Sequence, residues 1–454
     1  MKQAIRQRVR LTAIVVGLIL TTATCASQVT LGGAETTIRA TSGSTQVPST
    51  DSTTSDTADT APVAATDCPA LEVGVQWEIT NSTSLDLIHS SDGVDVYAAE
   101  YPLPGPTDGL WSQWGQGVVG ADGRHFSAVG DHLGADGNSY FFVYDPDTRE
   151  VSRFMDVLSV IDRPPGSWGF GKVHAQMVVD RCDRIWAATY WGTRSGITDY
   201  EGDHLLLIDP IGKTVTDAGV FSDGLGIPSM TITSDRTVIV AEAVDPESDK
   251  GRLISWEIVG SAPGLDYTDP SHLGFRALAT SGDGQILFSV GSGRLAAWDV
   301  GTGANSVFTE GLPGDWLRAA TVTMDDGTFV GVTQDPPKLF RLSSDGEETF
   351  LGDPGGYTTS LALDEPGQRV FWMSGAHGNS WETGAAIKSL DLVSGEITEV
   401  VRLREAFEGE LDLLPGGTYS IVYDAGRLIL GVNASKTQDD NGFGNVVLVV
   451  VEGL

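Results

Sequence analysis

The sequence predicts an all-β protein, specifically a seven-bladed β-propeller closed by an N-terminal strand that completes the last blade. From residue 110 onward, short runs of Val, Ile, Leu, Phe and Trp alternate with Gly and Asp, and no long stretch has helical period. An Asp/Gly-rich turn recurs seven times along the chain. The two ends are complementary in a third way, with a spare strand before the first repeat and a missing strand after the last.

The recurring turns are ADG at 121–123, DRCD at 180–183, SDR at 234–236, GDG at 282–284, DDG at 325–327, DEPG at 364–367 and DAG at 424–426. Their spacing of roughly 40 to 60 residues leaves room for four strands per blade with variable loops. Six of them lead into a strand, a loop and a hairpin: FFVYDPDTREVSRF, LLLIDPIGKTVTDAG, LISWEIVGSAPGLDYTD, LAAWDVGTGANSVFTE, KLFRLSSDGEETFLG and AIKSLDLVSGEITEVV. Asp-Pro, Gly-Thr-Gly, Asp-Gly and Ser-Gly turns suit such tight reversals. The seventh has only VVLVVVEGL at 446–454 before the sequence stops. A blade short of a strand would expose an apolar edge, and DVYAAEYPL at 95–103 is a strand without a blade, so the two are expected to pair and latch the ring. An open sandwich, or two smaller β domains, explains neither end.

The hairpins YDPDTREV and IDPIGKTV, with ADGRHFSAVG and DRIWAATYWG, resemble repeats of the broad bacterial propeller superfamily that includes quinoprotein-like, NHL-like and gluconolactonase-like rings. The stretch GKVHAQMVVDRCDRIWAATYWGTR at 171–194 resembles a segment of secreted bacterial propellers of unassigned activity. The resemblance implies a fold, and a fold hosts many functions. Only Trp298-Asp299 matches the WD dipeptide. Oligogalacturonate-lyase-like and virginiamycin-lyase-like rings are conceivable relatives, but their metal-binding and acid/base residues find no residue-by-residue counterpart here, and none is carried over.

Residues 1–26 read as an export signal: Lys2, Arg6, Arg8 and Arg10 precede the apolar run LTAIVVGLIL, and TTATCAS follows. Two cleavage modes remain open. Cys25 becomes the lipid-modified first residue of a surface lipoprotein, or an ordinary signal peptidase cuts after Ala26 and the protein is secreted. The cysteine count leans to the first, because acylation of Cys25 leaves Cys68 and Cys182 as a disulfide pair. Residues 27–66 hold 11 Thr and 6 Ser with almost no large apolar side chains, a composition that cannot offset the entropy of ordering and reads as a disordered linker. The propeller domain is then 67–454. A net charge of −33, taken to −37 by removal of the four signal cations, argues against nucleic acid. Membrane contact is expected only through the N-terminal lipid, and a monomer is expected.

No Gly-x-Ser-x-Gly elbow, His-Glu-x-x-His, phosphate loop or Cys-x-x-Cys occurs. Candidate site residues therefore come from topology. Loops between the second and third strands, and loops between blades, gather at one mouth of a propeller's channel, and five of the seven histidines fall in them, His132, His174, His204, His272 and His377. Lys172 and His174 share one face of an inner strand by alternation. The expected ligand-binding set is Lys172, His174, His132, Tyr190, Arg194, His204, Arg276, Arg318 and His377, with His174 at its centre. A His174 buried between blades and satisfied by a backbone carbonyl would instead be structural. Trp111, Trp114, Trp168, Tyr190, Trp191, Trp316 and Trp381 map to the same end and could stack on sugar rings, whereas Trp186, Trp298 and Trp372 are assigned to wedges between blades. The acidic loops DPESDKG at 245–251 and TQDDNGFG at 437–444 lack full calcium-ligand spacing and read as solvated turns.

The function expected is capture of a carbohydrate, peptide or small molecule at the channel mouth, and convergent Arg and Lys favour a carboxylate such as an acidic sugar. The alternatives are an extracellular carbohydrate lyase or hydrolase with a His-based site holding a divalent metal (Ca, Mn or Zn) or acting as acid and base, and a structural protein-interaction ring.

Overall fold

The computed structural model describes Cys68 and residues 74–105, 110–192, 199–248, 251–258, 262–267, 277–291, 293–376, 380–438 and 442–454. All described residues belong to one compact unit, Val63–Leu454. The segments expected to be an export signal, with Cys25, and a Thr/Ser-rich linker lie outside the described residues.

Seven antiparallel sheets follow one another along the chain, and the protein is a seven-bladed β-propeller. Blade 1 contains Val118–Val119, His125–Gly130, Ser139–Asp145 and Glu150–Asp156, and blade 2 contains Val178–Val179, Ile185–Ala188, His204–Asp209 and Thr214–Val220. Blades 3 to 6 are four-stranded and begin at Gly226–Ile232, Leu278–Thr280, Asp315–Ala320 and Ala362–Asp364. Blade 7 takes Leu414–Asp424, Arg427–Ser435 and Asn445–Glu452 from the C-terminal end.

The expected latch is present. Strand β4, Val94–Glu100, pairs antiparallel with Asn445–Glu452, placing Val449 opposite Ala98 and Val451 opposite Val96. The N-terminal segment does more than the sequence indicated. Strand β3, Asp86–Ser91, adds a fifth strand to blade 7, strand β2, Asn81–Ser84, adds one to blade 1, and strand β1, Val75–Gln76, adds one to blade 2. One short segment thus runs along the outer rim of three consecutive blades, across the point where the ring closes. Its start is fastened by a disulfide between Cys68 and Cys182, with Cα atoms 5.9 Å apart. Asp180 shapes the turn carrying Cys182, accepting from the Cys182 and Arg184 amides through Oδ1 and from Arg184 Nε and Trp186 Nε1 through Oδ2.

Each blade is covered on both faces by its neighbours, so central strands are apolar throughout rather than alternating, and Val446 to Val451 are all buried. Trp186 wedges between blades 2 and 3, Trp298 between 3 and 4, and Trp372 between 5 and 6, in separate hydrophobic clusters. The recurring turn needs a left-handed residue, supplied by Gly123 (φ 77°), Gly284 (85°) and Gly327 (80°), and by Asp183 (59°) in blade 2.

The innermost strands present one unpaired backbone edge toward the axis. Hydroxyls stitch these edges blade to blade: Ser420 accepts from the Gly117 amide (2.9 Å), Ser360 from the Ile421 amide (3.0 Å), Ser289 from the Leu317 amide (2.7 Å), and Thr359 donates to the Thr418 carbonyl (2.7 Å). These bonds satisfy groups that would otherwise be buried unpaired, and they fix the strands that line the channel.

Candidate functional site

Trp114, His174 and Arg318 occupy one register in blades 1, 2 and 5. Each stands the same distance before the residue whose amide closes the recurring turn, Gly120, Asp180 and Met324. The shared register brings all three onto one narrow axial cavity of about 40 Å³, which Gln116, Gln176 and Tyr419 also line.

Trp114 is the hub. His174 stacks on it with ring centroids 6.0 Å apart, His132 meets it edge-on at 5.6 Å, and Tyr419 and Phe443 approach to 4.8 and 5.3 Å. Lys172 places Nζ 4.6 Å from the centre of the same indole, within cation–π range. The Trp114 Nε1 donates to the Ser112 hydroxyl at 2.6 Å, which fixes the ring plane. Opposite, Arg318 is 4% exposed and donates from Nε to the Tyr357 hydroxyl at 2.6 Å. Its guanidinium carbon lies 5.3 Å from the Tyr357 ring centre and 5.9 Å from that of Tyr419. Among the described residues no carboxylate forms an ion pair with Arg318.

Lys172, His174, His132, Tyr190 and Arg318 therefore come together at one end of the channel. Lys172 and Tyr190 exchange backbone hydrogen bonds, and the Tyr190 ring lies 4.9 Å from His174. His174 is 5% exposed and its Nδ1 sits 2.8 Å from the Pro228 carbonyl of blade 3. Since a carbonyl only accepts, Nδ1 carries the proton. His174 is thus held in place as a wall of the site. Burial, with the charge of Lys172 as a smaller influence, lowers the His132 pKa to about 3, so this ring is neutral near pH 7.

His204 does not join them. Its Nδ1 lies 3.0 Å from both oxygens of Asp217 and its Nε2 3.4 Å from Glu201. Burial pulls its pKa down, but these carboxylates outweigh burial and hold it above the ordinary value, as befits a structural ion pair in the third strand of blade 2. Arg194, Arg276 and His377 lie outside the described residues. The aromatic set also divides: Trp168, Tyr190 and Trp191 form a separate buried cluster with Tyr200, Trp111 packs between blades 7 and 1, and Trp381 is buried. Among those tryptophans, Trp114 is the one that lines the axial cavity, and Trp316 is half-buried outside these clusters. Asp245 accepts from the Glu247 and Ser248 amides, both at 2.8 Å, as a self-capped turn does.

Tyr357 and Tyr419 were missed by the sequence reading. Tyr357 directly follows Gly355-Gly356 ahead of the inner strand of blade 6, and Tyr419 follows Gly416-Gly417 by one residue more, within the inner strand of blade 7; the Gly-Gly pair was the available signal. Among the described residues, no group of three or more His, Cys, Asp or Glu side chains is arranged to hold a metal ion.

The sequence matches no protein-family model and no curated protein sequence. Solved structures are similar at the level of fold. Virginiamycin B lyase from Staphylococcus aureus superposes with a TM-score of 0.51 and 11% identity, covering 78% of this chain and 99% of that one. A streptogramin B lyase gives 0.50 and 13%, covering 78% and 97%. Oligogalacturonate lyase from Vibrio parahaemolyticus gives 0.51 and 12%, covering 82% and 98%. The likeness is one of fold alone. It is a likeness to β-propellers, a fold that hosts many functions.

Proposed function

We propose that this propeller binds a small ligand with a carboxylate or similar anionic group on a cyclic body, at the end of the channel that Trp114 and Arg318 both line. The observation that carries the reading is Arg318. A guanidinium that is 4% exposed, with a neutral phenol as its hydrogen-bond partner, has been taken out of water without a countercharge among the described residues. Such burial is costly unless a countercharge arrives, and a carboxylate is the geometric match for the fork of Arg.

Lys172 adds a second cation beside Trp114, and the indole offers a face for a sugar or aromatic ring. In a chain of net charge −33 this is a local cationic spot, which selects anions at short range. Acidic sugars fit this description, and neutral glycans and peptides fit it less well. The Cys68–Cys182 bond supports export to an oxidising compartment. Cys25→Ser moving the protein from the membrane fraction to the medium would establish the lipoprotein form, and unlipidated wild type beginning at Ser27 would establish ordinary secretion.

The test is a thermal-shift comparison of glucuronate and benzoate with glucose and benzyl alcohol. Ligands that bind only the native state raise its stability by RT ln(1 + [L]/Kd). Concentration-dependent stabilisation by the anions and none by their neutral counterparts is expected. Equal shifts from both, or none from any, would overturn the reading.

A further inference from the structure

The other end of the channel opens into a second chamber, of about 630 Å³, lined by the inner strands of all seven blades. It is separated from the Arg318 cavity by a throat whose walls, Gln116, Gln176, Leu278 and Ala320, line both spaces. Gln116 is pinned there, donating to the Ile421 carbonyl at 3.3 Å and accepting from Ser360 at 3.1 Å.

Their linings differ in kind. The lower chamber is ringed by Val118, Val179, Ile232, Val322, Leu363 and Val422, and Val322 is 74% exposed. Two hydroxyls at its wall are turned into the ring, Thr280 donating to the Ile232 carbonyl at 3.1 Å and Thr323 to the Thr280 carbonyl. The charged groups sit at the rim: Arg236 lies 3.5 Å from Asp183, and the Asp325 amide donates to Glu365 at 2.6 Å. An apolar collar around a space of this size, with polar groups at its edge, is the usual form of a small-molecule pocket. Water against such a collar is released favourably when an apolar body fills it.

We propose that this chamber is a second binding site, for an uncharged and predominantly apolar ring-bearing molecule. The six collar residues carry no charge to pair with an ionic group, Arg236 and Asp325 standing at the rim, and the net charge of −33 repels anions from it. The proposal does not rest on the reading of the Arg318 site, since none of the collar residues takes part there.

Nile red, an uncharged polycyclic dye, is the probe. Titration of the full chain should give saturable one-to-one binding with a blue-shifted emission. Val322→Asp should weaken it at least tenfold with no change in melting temperature, because the position is exposed, and Val322→Ser should give a smaller loss. Val393→Asp, at an equally exposed site on the outer rim (81%), and Arg318→Met should leave the titration unchanged. Absence of saturable binding, Val322→Asp binding as tightly as the parent, or equal weakening by Val393→Asp would overturn the proposal.

Discussion

Arg318 donates to the hydroxyl of Tyr357 at 2.6 Å, so a buried cation of blade 5 is held by a neutral side chain of the segment entering blade 6. The pairing orients the guanidinium without neutralising it, which is what a preformed anion subsite requires.

Replacing Arg318 by Met should separate stability from binding. Removing a buried charge that has no counter-ion is neutral or stabilising, so the melting temperature should hold or rise while stabilisation by glucuronate or benzoate disappears. Tyr357→Phe should act in the opposite sense, costing about 1–3 kcal/mol by leaving the Nε–H unsatisfied. A destabilised Arg318→Met with intact anion response would assign Arg318 to structure. Chemical denaturation with and without ligand measures both quantities.

Truncations of the N-terminal segment should be graded by position. Strand β4 lies between Asn445–Glu452 and β3, so its deletion would expose a row of buried valines along an unpaired edge and should cause aggregation. Strands β1 and β2 add only outer edges to blades 2 and 1, and deleting residues 75–84 should lower the melting temperature while leaving a soluble ring. Size-exclusion chromatography with thermal melts distinguishes the two, and equal damage from both would refute the latch.

The disulfide predicts a redox-dependent stability. It spans 114 residues of sequence, and the chain-entropy model gives a crosslink over such a loop about 4–5 kcal/mol. Cys182→Ser should lower unfolding stability by an amount of this order under oxidising conditions, and a reductant should bring the parent to the level of the variant. Parent and variant that unfold alike without reductant would contradict the bond.

Two buried groups give opposite pH dependences. His125 has neither ring nitrogen hydrogen-bonded, and burial lowers its pKa to about 3. Its unfolded counterpart titrates near about 6.5, so its contribution is complete above that pH and is lost as pH falls toward 3. Burial pushes the Asp203 carboxyl up to about 8, against bonds from the Ile227 amide and from Tyr200 and Thr189. The folded state there keeps a proton that the unfolded chain releases near about 3.9, so that contribution is complete in acid and is lost as pH rises through 8. His125→Leu should flatten the acid limb of melting temperature against pH, and Asp203→Asn the limb between about 4 and 8. Curves parallel to the parent would contradict the assignments.

The ring was legible because its determinants are local. Seven turns requiring a left-handed residue, apolar runs between them, and unmatched ends all stand in the sequence. The rim strands were not legible, because Asn81–Ser84 reads NSTS and carries no apolar alternation; its conformation is set by the open edge of blade 1. The site was half legible. Topology put Lys172, His174, His132, Tyr190 and Arg318 at one end of the channel, but histidine content alone did not separate the members of the cluster from the rest. His204 is held by two carboxylates and His174 by a carbonyl, while Tyr357 and Tyr419, which touch Arg318, carry no such chemical label. Inner-strand register, counted back from each turn, aligns Trp114, His174 and Arg318 and would have found the site.

Calorimetric titration of glucuronate into the parent and into Arg318→Met tests the central claim most directly. The account predicts one-to-one binding to the parent that weakens with salt, and a loss of at least about tenfold in affinity, or about 1.4 kcal/mol, in the variant. Binding of equal strength to both proteins would contradict it.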